Sequence, residues 1–156
     1  MILKTVKSKI CTLTQALDTI DTWKTNNNKV VFTNGCFDVL HAGHVASLRE
    51  AKSLGDCLVV ALNGDASVRK LKGEDRPVFP LEQRLEVVEA LECVDFVTWF
   101  DEATADATLL AARPHVYAKG GDYQPEQIPE MGVVKKINAT FHILGLRAGL
   151  STTNAI

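Results

Sequence analysis

Five short apolar runs rich in β-branched residues, at 29–33, 57–63, 96–100, 115–118 and 140–144, alternate with stretches long enough to form helices. That alternation leaves few options. Parallel strands must be joined by crossovers, the crossovers are right-handed, and the connecting helices then cover both faces of one sheet. The chain is therefore expected to form an α/β fold, a Rossmann-like parallel sheet with helices on both faces. Ligands of such sheets bind beyond the carboxyl ends of the strands. That rule selects residues 33–38, 63–65 and 119–123, each of which directly follows an expected strand. Pro77, Pro80, Pro125 and Pro129 fall in the connections.

The first of these edges carries the most chemistry. The run Val30-Val31-Phe32 continues into Thr33-Asn34-Gly35-Cys36-Phe37-Asp38-Val39-Leu40-His41-Ala42-Gly43-His44. Thr33-Asn34-Gly35 is expected to break the strand, with residues that tolerate unusual backbone angles and let the following amides turn toward an anion. Residues 45–54 have the composition of a helix whose N-terminal end faces the same place. With a spacing of three in helical geometry, His41 and His44 share one face and converge on a single phosphoryl group. Two isolated histidines would be read as packing residues. The strand, the turn and the helix around these two make them phosphate ligands and mark a nucleotide site.

Upstream, Thr12 is placed to cap a helix carrying Leu13, Ala16, Leu17, Ile20 and Trp23, which ends near Asn26-Asn27-Asn28. The expected organisation is a helical extension over residues 1–28 packed on a core over residues 29–156, a single domain overall. With 156 residues, 46% of them hydrophobic, the chain has material for one core. A formal net charge of -2 argues against a nucleic-acid surface and for a small ligand. Neither a signal peptide nor a membrane span is expected, because no apolar stretch is long enough, and a cytoplasmic location follows. Cys11, Cys36, Cys57 and Cys93 lie far apart and are expected to be reduced thiols. Cys36, inside the phosphate turn, is assigned a backbone or packing role rather than that of a nucleophile.

The segment from Thr33 to His44 resembles the signature of the cytidylyltransferase-like nucleotidyltransferases, whose shared element is a His-x-Gly-His after the first strand. The resemblance continues through Val60-Ala61-Leu62-Asn63-Gly64-Asp65-Ala66-Ser67, Leu71-Lys72-Gly73-Glu74-Asp75-Arg76-Pro77-Val78 and Leu81-Glu82-Gln83-Arg84. It ends with Lys119-Gly120-Gly121-Asp122-Tyr123 and Ser151-Thr152-Thr153-Asn154, so it covers nearly the whole chain from Val30 onward. Together these segments look like the D-glycero-β-D-manno-heptose 1-phosphate adenylyltransferases, which also occur as the transferase half of a bifunctional heptose kinase/adenylyltransferase. The Lys-Gly-Gly-Asp-Tyr and Ser-Thr-Thr elements distinguish that group from the glycerol-phosphate and choline-phosphate cytidylyltransferases. The resemblance implies the HxGH nucleotidyltransferase fold, ATP and a sugar 1-phosphate as substrates, Mg2+ accompanying ATP, a homodimer, and a place in lipopolysaccharide or S-layer sugar synthesis.

In nucleotidyl transfer a phosphate attacks the α-phosphorus of a nucleoside triphosphate in line, and pyrophosphate leaves. Phosphates are already nucleophilic at neutral pH, so the protein gains most from positioning and from neutralising charge, and donors are the expected residues. His41 and His44 are assigned to the triphosphate, His44 to its α-phosphoryl group. Lys72, in a charged loop beside Gly73, is expected to swing onto the phosphates and completes the catalytic set. Nucleotide binding is assigned to Thr33, Asn34, Gly35, Cys36, Phe37, His41, His44, Lys119, Ser151, Thr152 and Thr153, with backbone amides from Cys36 and Phe37 and hydroxyls from the Ser-Thr-Thr turn. Substrate binding is assigned to Asp38, Asn63, Asp65, Lys72, Arg76, Gly121 and Asp122, while Asp38 is equally read as orienting the loop or a histidine. Arg84 is read either as a phosphate ligand or as a structural salt bridge. Arg69 and Lys70 are read as surface residues. No metal cage from protein side chains alone is expected. Two residues depart from the family pattern, Arg147 and Leu150, and the helix begun by Ser151 is expected to run beyond Ile156. Two alternatives stay open: a cytidylyltransferase acting on a small phosphoalcohol such as glycerol 3-phosphate, and a nucleotide-binding regulatory module without turnover.

Overall fold

The fold was obtained as a computed structural model, which describes residues 8–121 and 124–145. Five parallel strands form one sheet: β1 (Val30–Gly35), β2 (Cys57–Asn63), β3 (Phe96–Phe100), β4 (Val116–Gly120) and β5 (Thr140–Leu144). Their order across the sheet is β3-β2-β1-β4-β5. The helices are α1 (Leu13–Thr25), α2 (Ala42–Ser53), α3 (Asp65–Lys72), α4 (Leu81–Glu89), α5 (Asp106–Ala112) and α6 (Met131–Lys136), with a short 3-10 turn at Pro125–Gln127. This is the Rossmann-like α/β architecture that the alternation of runs predicts.

Side-chain alternation along the central strands divides the core in two. Val31 of β1 and Leu58, Val60 and Leu62 of β2 point to one face, where Leu48 and Ala51 of α2 and Leu85 and Val88 of α4 cover them. Val30, Phe32, Val59 and Ala61 point to the other, under Ile20 of α1, Leu109 and Ala112 of α5, and Val134 of α6. Strands buried on both faces read as unbroken apolar runs, which is why β1 and β2 stood out in the sequence. Thr12 caps α1 as expected, its hydroxyl accepting from the Gln15 N–H while the Gln15 side chain accepts from the Thr12 N–H.

The strand and helix boundaries differ from expectation where they matter most. Asn34 and Gly35 do not break the first strand: they belong to β1 and pair with Ala61 and Leu62. The left-handed residue of the turn is Phe37, at φ 46°. Gly35 leaves room for the Phe37 ring, which a Cβ there would meet at 2.9 Å and displace. α2 starts at Ala42, ahead of the expected residue 45, so His41 is its cap and His44 lies in its first turn. Lys72 ends α3 rather than riding in a loop, and Lys119 and Gly120 finish β4. Among the described residues no helix is long and apolar enough to cross a membrane.

Candidate active site

At the carboxyl ends of β1, β2 and β4 lies a cleft of about 590 Å³. β1 lies at its centre because the winding reverses there, with β2 on one side and β4 on the other. Thr33, Asn34, Gly35, Cys36 and Phe37 line it, together with His41 and His44, Asn63, Lys72, Arg76, Lys119 and Gly121. The structure thus gathers into one cleft most of the residues named from sequence. Asp122, Ser151, Thr152 and Thr153, with Tyr123, Arg147 and Leu150, lie outside the described residues.

The two imidazoles form one wall. His41 Nδ1 accepts from the Gly43 N–H at 3.0 Å, and His44 Nδ1 accepts from the His41 N–H at 3.2 Å. Each ring is therefore oriented by the start of α2 itself, and in the neutral state each carries its proton on Nε2. The Nε2 of His41 is buried and makes no hydrogen bond to the protein, a donor held ready for a ligand. The rings pack in tilted contacts, with Phe37 against His44 at 5.5 Å between centroids and 56° between planes, and His44 against His41 at 4.1 Å and 39°. Burial, then the neighbouring His41 and Lys72, push the pKa of His44 down to about 4. His44 is neutral at physiological pH, a hydrogen-bond donor rather than a cation.

Two of the expected substrate ligands have other commitments. Asp38 is buried, and its carboxylate accepts from the Val78 N–H at 2.8 Å, the Phe79 N–H at 3.0 Å and Arg76 Nη1 at 3.2 Å. Burial alone would raise its pKa, but the Phe79 and Val78 amides and Arg76 outweigh burial and hold it below the ordinary aspartate value. Asp38 is a clamp on the 76–79 segment, which corresponds to the loop-orienting alternative. Asp65, at the start of α3, is absent from the cleft lining and accepts from the Leu81 N–H at 3.0 Å and Arg84 Nη2 at 2.6 Å. Asn63 lines the cleft while its amide donates to Ser67 Oγ at 3.0 Å. Arg84 resolves toward structure: its side chain is fully buried, and each of its three nitrogens donates a hydrogen bond within the protein.

Glu130 and Tyr117 were not foreseen. Glu130 lines the cleft yet is only 2% exposed. Its Oε2 accepts from the Ala105 N–H at 3.2 Å, and its Oε1 lies 3.6 Å from Lys119 Nζ and 3.2 Å from the Tyr117 hydroxyl. The same hydroxyl donates to Asn34 Oδ1. Burial, reinforced by Glu130, raises the Tyr117 pKa, so the phenol keeps its proton. The chain Asn34, Tyr117, Glu130, Lys119 thus ties β1 to β4 beneath the cleft and fixes an ammonium at its far wall. A tyrosine inside an apolar strand run, which needs a partner for its hydroxyl, was the one sequence signal of this network. Among the described residues no three His, Cys, Asp or Glu side chains gather in a metal-binding group.

The cytidylyltransferase-like family model matches residues 32–154 of this chain. The chain is 46% identical over 137 residues to the bifunctional protein HldE of Pelobacter propionicus, covering 88% of this chain and 28% of that protein. It is 51% identical over 128 residues to the bifunctional protein HldE of Photorhabdus laumondii, covering 82% and 27%. The chain therefore spans less than a third of the length of these curated relatives. Among solved structures, the lipopolysaccharide core biosynthesis protein from Thermoplasma volcanium superposes with a TM-score of 0.66 at 29% identity, over 77% of this chain and 98% of that one. Pantoate-beta-alanine ligase from Francisella tularensis superposes with a TM-score of 0.63 at 16% identity, over 96% and 73%, a likeness of fold alone.

Proposed function

This chain belongs to the cytidylyltransferase-like family and is a nucleotidyltransferase, and from that premise we propose that it transfers AMP from ATP to D-glycero-β-D-manno-heptose 1-phosphate, releasing ADP-heptose and pyrophosphate. The observation that carries the chemistry is the pair of imidazoles, each with Nδ1 held by a backbone N–H so that Nε2 is left to donate, facing a cleft also lined by Lys72, Arg76 and Lys119. The choice of sugar rests on the sequence resemblance to the heptose 1-phosphate adenylyltransferases. Similarity to proteins called HldE and to a lipopolysaccharide core biosynthesis protein supports it.

In the proposed reaction an oxygen of the sugar phosphate forms the new bond to the α-phosphorus, and the bond from that phosphorus to the bridging oxygen of pyrophosphate breaks. No proton needs to move. The protein's work is to hold the two anions in line and to donate to oxygens that gain charge, which Nε2–H groups already oriented by the backbone do without reorganising. His44 and His41 serve the triphosphate, and Lys72, exposed at the end of α3, reaches across the mouth. Lys119, held by Glu130, and Arg76, held by Asp38, are fixed cations. Magnesium enters with ATP as part of the substrate: among the described residues the cleft-lining carboxylates, Asp38 and Glu130, are already engaged by donors. A cytoplasmic homodimer completes the proposal.

Pyrophosphate release with ATP or CTP, each offered with heptose 1-phosphate or glycerol 3-phosphate, tests the assignment. ATP with heptose 1-phosphate is expected to turn over best. Faster turnover of CTP with glycerol 3-phosphate overturns the substrate while leaving the family intact, and binding without release under every condition points to a regulatory module.

A further inference from the structure

We propose that Arg84 is a positioning residue that sets the polarity of the Cys36–Phe37 peptide and so turns the Phe37 N–H toward the phosphates. The inference rests on the reading of the cleft as a triphosphate site. Arg84 heads the largest side chains that are fully buried. A buried guanidinium is costly unless its nitrogens find acceptors. Here Nη1 donates to the carbonyls of Cys36 at 2.9 Å and Asn63 at 2.7 Å, Nε to the carbonyl of Phe79 at 2.9 Å, and Nη2 to Asp65. Its acceptors are mainly backbone, and they belong to three separate segments: the turn after β1, the end of β2 and the entry to α4. A side chain present only to neutralise Asp65 would not need this arrangement.

The consequence follows from peptide geometry. Among the described residues the cis peptide is Arg76–Pro77, so Cys36–Phe37 is trans and its N–H points opposite to its carbonyl. The carbonyl is drawn down to a guanidinium that is fully buried and is not part of the cleft lining, whereas Cys36 and Phe37 themselves line the cleft. The Phe37 N–H is thereby directed to the opposite side, where an anion is to sit. Phe37 holds this pose at φ 46°, a left-handed conformation rare for an aromatic residue, with its ring seated on Gly35 and against His44. Without the guanidinium the peptide is free to turn and present an oxygen to the phosphates.

The test follows amide signals of the full chain titrated with ATP, pyrophosphate and adenosine. In the wild type the Phe37 amide proton is expected to move downfield with ATP and with pyrophosphate but not with adenosine. Arg84→Lys keeps the charge and loses the fork. It is expected to abolish that movement and weaken ATP and pyrophosphate binding by about tenfold or more, with adenosine affinity unchanged. Should Arg84→Lys fail to fold, Asp65→Asn, which loosens the guanidinium while leaving it in place, is expected to weaken ATP severalfold and shrink the Phe37 response. A Phe37 amide indifferent to pyrophosphate overturns the proposal. So does a folded Arg84→Lys with wild-type ATP affinity, an equal loss for ATP and adenosine, or, where Arg84→Lys does not fold, an unaltered Asp65→Asn. A wild-type protein that binds neither ATP nor pyrophosphate overturns the triphosphate reading itself.

Discussion

The ring of His44 lies 4.1 Å from that of His41, centroid to centroid, and its Nδ1 accepts the backbone N–H of that same residue. Ring contact and hydrogen bond together fix which nitrogen faces the cleft. They also make a second positive charge unwelcome, because a protonated His44 would stand against His41 and near Lys72.

That relationship predicts the titration of His44. In the free protein its imidazole signal should shift with a midpoint near pH 4, down from the ordinary 6.5, owing first to burial and then to His41 and Lys72. The folded pKa is lowered, so the unfolded chain binds the extra proton more readily. The stability involved is fully present above about pH 6.5 and is lost as pH falls through 4. A midpoint at 6.5 by NMR sinks the description of His44 as a neutral donor.

Removing that donor should show in the chemistry rather than in the fold. His44→Ala is expected to slow single-turnover AMP transfer by about a hundredfold to a thousandfold, or roughly 3–4 kcal/mol in the barrier. Rates are compared per folded molecule, with the folded fraction taken from the same sample. A near-normal rate per folded molecule, with a lowered melting temperature, would return His44 to a packing role.

Lys72 is exposed, at the last position of α3 before Gly73 with φ 106°. Lys72→Met should lower kcat by about tenfold or more while leaving ATP affinity nearly unchanged, the pattern of a contact made chiefly in the transition state. Its melting temperature should match the wild type. Unchanged kcat means that this ammonium stays in solvent throughout the reaction.

The Asp38 clamp predicts a stability effect with a pH signature. Asp38→Ala strands the Val78 and Phe79 N–H groups and should cost about 1–3 kcal/mol in urea unfolding at pH 7. The folded pKa of Asp38 is lowered, so its contribution is present above the unfolded value of about 3.9 and is lost as pH falls through the folded one. The stability gap between wild type and Asp38→Ala should therefore narrow in acid. A gap that stays constant with pH argues that packing, not the carboxylate, holds the segment.

Patterns confined to one stretch of chain were readable in advance. The apolar runs located all five strands, most plainly β1 and β2, which are buried on both faces and have no polar positions to disguise them, and Thr12 marked the start of α1 through contacts only three residues apart. Spacing alone put His41 and His44 on one face. What the sequence concealed depends on distant residues. Asp38 looks like a ligand until Val78 and Phe79 return to it, and Asp65 until Arg84 arrives from α4. Glu130 carries no local mark, since its partners Ala105, Tyr117 and Lys119 come from other segments. Asn34 and Gly35 were expected to end the strand on propensity, but pairing with β2 overrides propensity there.

The strand order has a consequence for how the chain comes into being. β1, β2 and β3 are neighbours in both sequence and space, so a chain emerging from the ribosome can assemble the histidine turn and the Arg84 anchor early. Lys119, Gly120 and Glu130 arrive later, with β4 closing on the other side of β1. Until then β1 carries a bare hydrogen-bonding edge at the very strand that bears the phosphate turn. The nascent protein is thus most open to wrong partners along the line where its cleft will form, and β4 both completes the pocket and ends that exposure.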